Sequence, residues 1–370
     1  MKVLYLGHYK EGTGWSVATI NNILALSKQD IDLVTRNIKL TKEVDVPEEI
    51  LELEKKDLNN VDVCIQHVLP HHLVATTKFK KNIAYFENET ATIKYASNWL
   101  QCLKMMDEIW VPCAFSKNAL ENDGLENIKI VPHACDIQDY LDVKEVHVDR
   151  LIKDNFKFYY IGDTNDRKNV DNIIKCFHVA FSPSEPVDLI LKIGSPAGER
   201  HANELINLKS ETIKRQLRLY SNLLDYKKEF IISRNLTRKE IVSLHSICDC
   251  YIAPSHGEAW NIPAFEAMAF GSTPICSRTG GPIDFINDTD RNTGTLIDGV
   301  NKICNHQNAA FPFLGTGRDM WFEPDDQQII DTMRYYFENK NSIDRNAGLE
   351  QAKNFSYEKV GAKMMECINE

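Results

Sequence analysis

Nowhere does this sequence run for the ~20 consecutive apolar residues that a membrane-spanning helix needs, so no such helix is expected. The opening MKVLYLGHYKEG is a short apolar burst ended by Gly7 and His8. It lacks the longer apolar region and small-residue cleavage site of a signal peptide, and it reads as a first strand. Basic charge is scarce too: 43 Lys and Arg face 53 Asp and Glu, a net charge of −10. Nucleic-acid binding needs a basic stripe to displace counterions, and that class is not expected. Lys78, Lys80 and Lys81 in TTKFKKN are the one local basic group, and ahead of a strand they read as a solvated turn rather than a membrane-docking patch. Ten cysteines are spread from Cys64 to Cys367 with one close pair, Cys248 and Cys250 in CDCYIAP. Without a second pair at metal-ligand spacing zinc is not expected, and the pair reads as two core residues of one strand. Thiols used as small apolar residues point to a reducing, cytoplasmic setting.

What is present is the balance of a soluble globular chain: 43% hydrophobic and 26% charged over 370 residues, ample for two domains. Strand-like runs alternate with helical ones, the pattern of parallel sheets wrapped by helices. KVLYLG, IDLVT, VDVCIQHV, NIAYF, EIWVP and IKIVPHA form a first series. Near residue 150 the sequence thins into DVKEVHVDRLIKDN, and a second series begins with FKFYYIGD, VDLILKIGS, EFIIS, CDCYIAPS and STPICS. The expected class is α/β with two Rossmann-like domains, 1–150 and 151–350. Residues 351–370 carry Phe355, Tyr357, Val360, Met364 and Cys367 at helical spacing, an amphipathic terminal helix.

The chemistry concentrates in APSHGEAWNIPAFEAMAFGSTPICSRTGG, residues 253–281. A strand ends at Pro254, a loop follows, and a helix starts with Pro263 in its first turn and stops before Gly271. Its N-terminus falls at the carboxyl end of a parallel strand, where free amides and the helix dipole favour a phosphate. Glu258 lies in the loop and Glu266 eight positions on, in the helix. Helical side chains lean towards the N-terminus, so Glu266 reaches a ligand held there. A carboxylate repels phosphate but accepts hydrogen bonds from a vicinal diol, such as a ribose; Glu258 would face the hydroxyls of a transferred sugar.

These residues resemble the signature of glycosyltransferase family 4, a group of retaining enzymes with the GT-B fold. They are Pro254-Ser255, Glu258, Trp260-Asn261-Ile262-Pro263 and Glu266-Ala267-Met268-Ala269, with Asn261 where the family usually has glycine, then Gly280-Gly281-Pro282 and Asp284. Gly162 and Lys168, six positions on, match a second motif; Asp163 replaces its arginine, and neighbouring Arg167 is the candidate substitute cation. DEIWVPCAFSKNAL, VPHACD, RNLTRKEIVSLHSICD and NFSYE carry the resemblance along essentially the whole chain. It implies a metal-independent transfer of a hexose from a guanosine or uridine diphosphate sugar to a glycan or small-molecule hydroxyl, with no cofactor. Glu258 would hold the sugar and Glu266 the ribose. Lys168, Arg167 and amides near Ile262 and Pro263 would hold the diphosphate, with Arg234, Asn235 and Leu236 under the base. The terminal helix would cross back to the first domain.

In the N-terminal half, the loop from Gly7 to Gly14 lacks the G-x-G-x-x-G spacing, and its glycines permit close backbone approach; the resemblance implies that this loop approaches diphosphate and acceptor, with Gly12 and Gly14 the candidates. NIAYFENET ends in Glu87, where many family members place a histidine. An acid there would orient the acceptor hydroxyl or take its proton; a polar strand cap is the alternative. His67, His71 and His72 read as loop histidines without a completing carboxylate, with His67 at a strand end the alternative acceptor contact, and Asp288-Thr289-Asp290 as an Asx turn rather than a metal motif. A sugar-nucleotide epimerase, a phosphorylase, or a non-catalytic sugar-nucleotide-binding subunit on the same fold are the rival readings.

Overall fold

The computed structural model describes residues 1–40, 43–137, 154–195, 197–304 and 317–370. The expected boundary near residue 150 lies outside them. The first half runs β1 (Lys2–Gly7), α1 (Gly14–Ser27), β2 (Asp32–Asn37), α2 (Glu48–Lys55), β3 (Val63–His67), β4 (Lys81–Tyr85), α3 (Trp99–Lys104), β5 (Glu108–Val111), α4 (Ala114–Asn122) and β6 (Ile128–Ile130). Its six strands form one parallel sheet in the order β2-β1-β3-β4-β5-β6.

The second half runs β7 (Phe156–Gly162), α5 (Val170–Ala180), β8 (Val187–Ile193), α6 (Glu199–Leu217), β9 (Phe230–Ile232), α7 (Arg238–Ile247), β10 (Cys250–Ala253), α8 (Ile262–Ala269), β11 (Thr273–Ser277), α9 (Pro282–Phe285) and β12 (Thr295–Ile297). Its parallel sheet has the order β12-β11-β10-β7-β8-β9. An antiparallel hairpin of β13 (Gly299–Cys304) and β14 (Asp319–Pro324) follows, then α10 (Asp326–Glu338), α11 (Asn346–Ala352) and α12 (Tyr357–Asn369). β3, β5, β8, β10 and β11 are buried at every position, as strands covered by helices on both faces must be. That is why they read as near-continuous apolar runs.

In each sheet the strand order reverses once, between β1 and β3 and between β7 and β10. Such switch points open a crevice beyond the carboxyl ends of the strands, because the connections leave in opposite directions. The loops after β7 and β10 therefore meet, as do those after β1 and β3.

The last helix leaves the second sheet and packs on α1. Tyr357 donates to Asn21 Oδ1 at 2.9 Å, and Lys81 Nζ to the Cys367 carbonyl at 2.7 Å. All ten cysteines are free and buried. Cys250 opens β10, whereas Cys248 caps the end of α7, so the pair is core as expected but does not share a strand. Lys80 pairs with Asp62, and Lys81 with Glu108. Among the described residues no helix is long and apolar enough to cross a membrane.

One buried ionic cluster serves the fold alone. Glu229, just before β9, accepts from His178 Nε2 of α5 at 2.7 Å and from Ser210 Oγ and Lys214 Nζ of α6 at 2.8 and 2.7 Å. Burial pushes its carboxyl up, but His178 and Lys214 prevail and bring it from 4.5 to about 2. A depressed carboxyl stabilises the native state above its unfolded pKa and loses that contribution as pH falls towards 2. Glu229→Ala strands a lysine in the core, so a loss of about 3–5 kcal/mol is expected in urea unfolding near neutral pH. The difference from wild type should shrink in acid, and an unchanged midpoint at neutral pH would remove the cluster's role.

Candidate functional site

The site is assembled from the two loops at the switch point of the second sheet. After Gly162, Asp163 turns its carboxylate to the Asn165 amide at 3.0 Å, and Asn165 caps a tight turn by accepting from Lys168 N at 3.1 Å. The turn is stitched to the loop after β10. Asn169 Nδ2 donates to the Pro254 carbonyl at 2.9 Å, and the His256 amide to the Arg167 carbonyl at 2.8 Å. Two consecutive cations are thereby aimed at one carboxylate.

Lys168 Nζ lies 2.8 and 3.0 Å from the two oxygens of Glu258, and Arg167 Nη1 lies 3.2 Å from Oε2. Arg167 also donates to the Gly257 carbonyl at 2.6 Å and reaches Glu89 of the first domain at 2.8 Å. Glu258 is 6% exposed. Burial pushes its carboxyl up, but Lys168 and Arg167 together hold it below the ordinary value, so it stays an ionised acceptor. Arg167 thus adds a bridge to Glu89 in the first half that the sequence did not suggest.

The helix that follows begins as expected. Asn261 adopts φ 71°, the left-handed conformation that glycine takes more readily, and it serves as the N-cap with its side chain accepting from Ala264 N at 3.3 Å. Asparagine therefore keeps the backbone path. It also spends an amide: Ala264 N and Phe265 N both turn to Asn261, and Pro263 has none, so the helix start presents the Ile262 amide rather than a ring of donors. Gly280 faces the same loop at φ 69°; a Cβ there would fall 1.8 Å from the Glu258 carbonyl oxygen.

Glu266 sits in α8 as expected, 4% exposed, but not alone. Arg238 Nη1 is 2.5 Å from Oε1 and His245 Nε2 is 3.6 Å from Oε2. Burial pushes this carboxyl up and Arg238 more than offsets it. Sequence reasoning missed Arg238. Its signal was the Thr237–Glu240 capping box, which fixes the first turn of α7 beside α8. Arg234, Asn235 and Leu236 lie at the carboxyl end of β9; Arg234 pairs with Glu240 at 2.7 Å and the Asn235 amide donates to Glu199 at 3.1 Å. The Trp260 ring is 2% exposed and packs on Phe265, Phe285, Phe355 and, from the first half, His133. Its side chain is an interdomain anchor, and only its backbone faces the loop.

The first domain meets this loop closely. Cys113 Sγ donates to the Ala259 carbonyl at 3.1 Å, and Asp284 accepts from Ala114 N at 2.8 Å, capping α4 from the other domain. Gly12 turns at φ 67° and Gly14 opens α1, capped by Thr13. Beyond β4, Glu87 lies 2.8 Å from His67 Nε2 and 3.2 Å from His133 Nε2. His67 is therefore not a loop histidine without a carboxylate: it ends β3, is fully buried and has Glu87 as its partner. Asp288 pairs with Arg278, and Asp290 accepts from Asn292, so the Asp-x-Asp is the expected turn. Among the described residues no three His, Cys, Asp or Glu are grouped to hold a metal ion.

The family described as Glycosyl transferases group 1 matches residues 142–303, which contain Gly162, Arg167, Lys168, Glu258 and Glu266. None of the curated proteins matches this sequence. Among solved structures, sucrose-phosphate synthase from Thermosynechococcus elongatus is similar over 100% of this chain and 98% of its own, at 14% identity and TM-score 0.67. Alr3699/HepE of Anabaena in complex with UDP and glucose is similar over 100% and 99%, at 14% identity and TM-score 0.69. A glycosyltransferase from Rickettsia africae is similar over 99% and 97%, at 15% identity and TM-score 0.63. At such identities the likeness speaks for the fold, two parallel sheets facing a cleft in the GT-B manner. With that fold over the whole chain and the group 1 match across the Lys168–Glu258 site, the protein is a glycosyltransferase.

Proposed function

We propose that the chain moves a hexosyl group from a nucleoside diphosphate sugar to a hydroxyl of a glycan or small molecule, with retention and without a metal. The donor binds in residues 151–350 and the acceptor in residues 1–150. The observation that carries this reading is the Lys168–Glu258–Arg167 cluster at the switch point. A lysine ammonium has three protons; two face Glu258, and the third is free to meet a diphosphate oxygen. Glu258, ionised and fixed, accepts from sugar hydroxyls, while Glu266 with Arg238 takes the ribose diol. Lys168, Arg167 and the Ile262 amide stabilise charge as the diphosphate leaves. Uridine diphosphate glucose is the first donor to try, since structural relatives hold UDP and UDP-glucose. Ten free thiols support a reducing, cytoplasmic setting.

Lys168→Ala is expected to lower turnover about 10²-fold or more, as loss of a leaving-group donor does, while excess chelator leaves wild-type turnover unchanged. The measurement is UDP release from UDP- and GDP-sugars with and without added acceptors. Abolition by chelator and rescue by magnesium would sink the metal-free reading; conversion of donor to an isomeric sugar nucleotide would point to an epimerase.

A further inference from the structure

Three ionisable side chains far apart in sequence converge at the carboxyl end of the first sheet. His67 closes β3, Glu87 follows β4 and His133 follows β6. Both imidazoles approach the same carboxylate oxygen, Oε1, His67 as a hydrogen bond and His133 as a less well-aligned contact at 3.2 Å. The rings are stacked 6.0 Å apart and fully buried, whereas the Glu87 side chain keeps an 18% opening.

The surrounding bonds decide which ring nitrogens carry protons. Asn22 Oδ1 accepts from Ala134 N at 3.3 Å, so its NH2 group turns to His133 Nδ1 at 3.2 Å. An amide NH2 only donates, so Nδ1 accepts and the His133 proton sits on Nε2. Tyr85, also near, sends its own proton to the Val131 carbonyl at 2.6 Å. At His67, the carboxylate oxygen Oε1 of Glu87 can only accept, so Nε2 carries the proton; burial lowers the His67 pKa, which leaves Nδ1 to accept from the Tyr5 hydroxyl 3.0 Å away. Burial pushes the Tyr5 phenol far up, so it remains a donor. The His67 proton is then on Nε2 as well, and two N–H groups face one oxygen.

We propose that His67 and His133 are positioning residues for Glu87: they hold Oε1 and leave Oε2 as a fixed acceptor for the hydroxyl that receives the sugar. This rests on the transferase reading and chooses between the two roles the sequence left open, orienting the hydroxyl rather than taking its proton. The acceptor oxygen bonds to the anomeric carbon as the carbon–oxygen bond to the diphosphate breaks. That electron pair stays on the departing phosphate, and the hydroxyl proton passes to the same phosphate. Burial pushes the Glu87 carboxyl up, and His133 with His67 more than offsets it, so it is a weak base but a sound acceptor. Tyr5, Tyr85, His8 and Glu89 are the other ionisable groups around this cluster.

The test has two arms. In the first, full-length protein labelled with 15N-histidine is compared with Glu87→Gln by NMR without ligand near neutral pH. Both His67 and His133 are expected to carry a proton on Nε2, with the His67 Nε2 proton moving upfield in Glu87→Gln. An Nδ1–H tautomer at either ring overturns the inference, whether or not any sugar nucleotide is turned over. In the second, UDP-glucose is the probe, with water or an added sugar as acceptor. His67→Gln keeps an N–H donor and is expected within about threefold of wild-type kcat, whereas His67→Phe loses about 10²-fold with UDP affinity unchanged. Equal losses in both, or none in His67→Phe, overturn it. A wild type that turns over no donor fails the transferase reading instead, and the NMR arm still decides the positions of the protons.

Discussion

Glu258→Gln is expected to lower turnover of UDP-glucose about 10²- to 10³-fold while tightening the binding of UDP itself. The two effects have opposite signs because Glu258 plays two parts. Its oxygens occupy Lys168 at 2.8 and 3.0 Å and Arg167 at 3.2 Å, so in the free protein it neutralises the cations a diphosphate would meet. Removing its charge leaves Arg167 still paired with Glu89, but gives Lys168 wholly to the phosphate. UDP, which carries the diphosphate without the sugar, gains from that. The sugar loses a fixed, ionised acceptor, and with it the orientation of its anomeric carbon towards the acceptor hydroxyl. Calorimetry with UDP and a turnover assay give the two numbers. Weaker UDP binding with intact turnover would contradict the division of labour between carboxylate and cations.

The strands were legible because their burial on both faces makes them apolar runs bounded by glycine, proline or charge, as in FYYIG and CYIAP. The strand-loop-helix around Glu258 was legible for a second reason: Pro263 and Gly280 each answer to a local backbone need, and the two glutamates lie eight positions apart. The hairpin of β13 and β14 gave no comparable sign, since β13 is exposed over most of its length and lacks a buried face. The setting of the Trp260 ring was not legible, because a tryptophan beside a ligand loop and one joining the two halves look alike until the Phe285 and Phe355 rings are placed around it. The group of His67, Glu87 and His133 was illegible as a group. Nothing local joins residues so far apart; sheet order alone brings the ends of β3, β4 and β6 to one side. Arg238 was hidden likewise, its partner lying on the next helix.

The second large effect is expected from a single methyl group. Gly257 has an ordinary backbone conformation, but a Cβ on it would stand 2.0 Å from the carbonyl oxygen of Glu89, which belongs to the other domain. A backbone oxygen cannot rotate away as a flexible side chain can, so either the domains part or the loop carrying Glu258 moves. Overpacking of this kind costs about 1–3 kcal/mol in stability. Catalysis should suffer more, because a displacement of about 1 Å between reacting groups costs about 10²-fold. Arg167 makes the coupling sharper: it holds the Gly257 carbonyl at 2.6 Å and Glu89 at 2.8 Å, so the clash falls between two groups that one guanidinium ties together. Gly257→Ala is therefore expected to keep UDP affinity, whose contacts lie within one domain, and to lose about 10²-fold in kcat. Gly194→Ala, where a Cβ meets nothing within 4 Å, is the control at the end of β8 and should match wild type in both measurements. Wild-type kcat in Gly257→Ala would mean that transfer does not depend on the closed contact of Gly257 with Glu89, and that the domains work at a wider separation than the one seen.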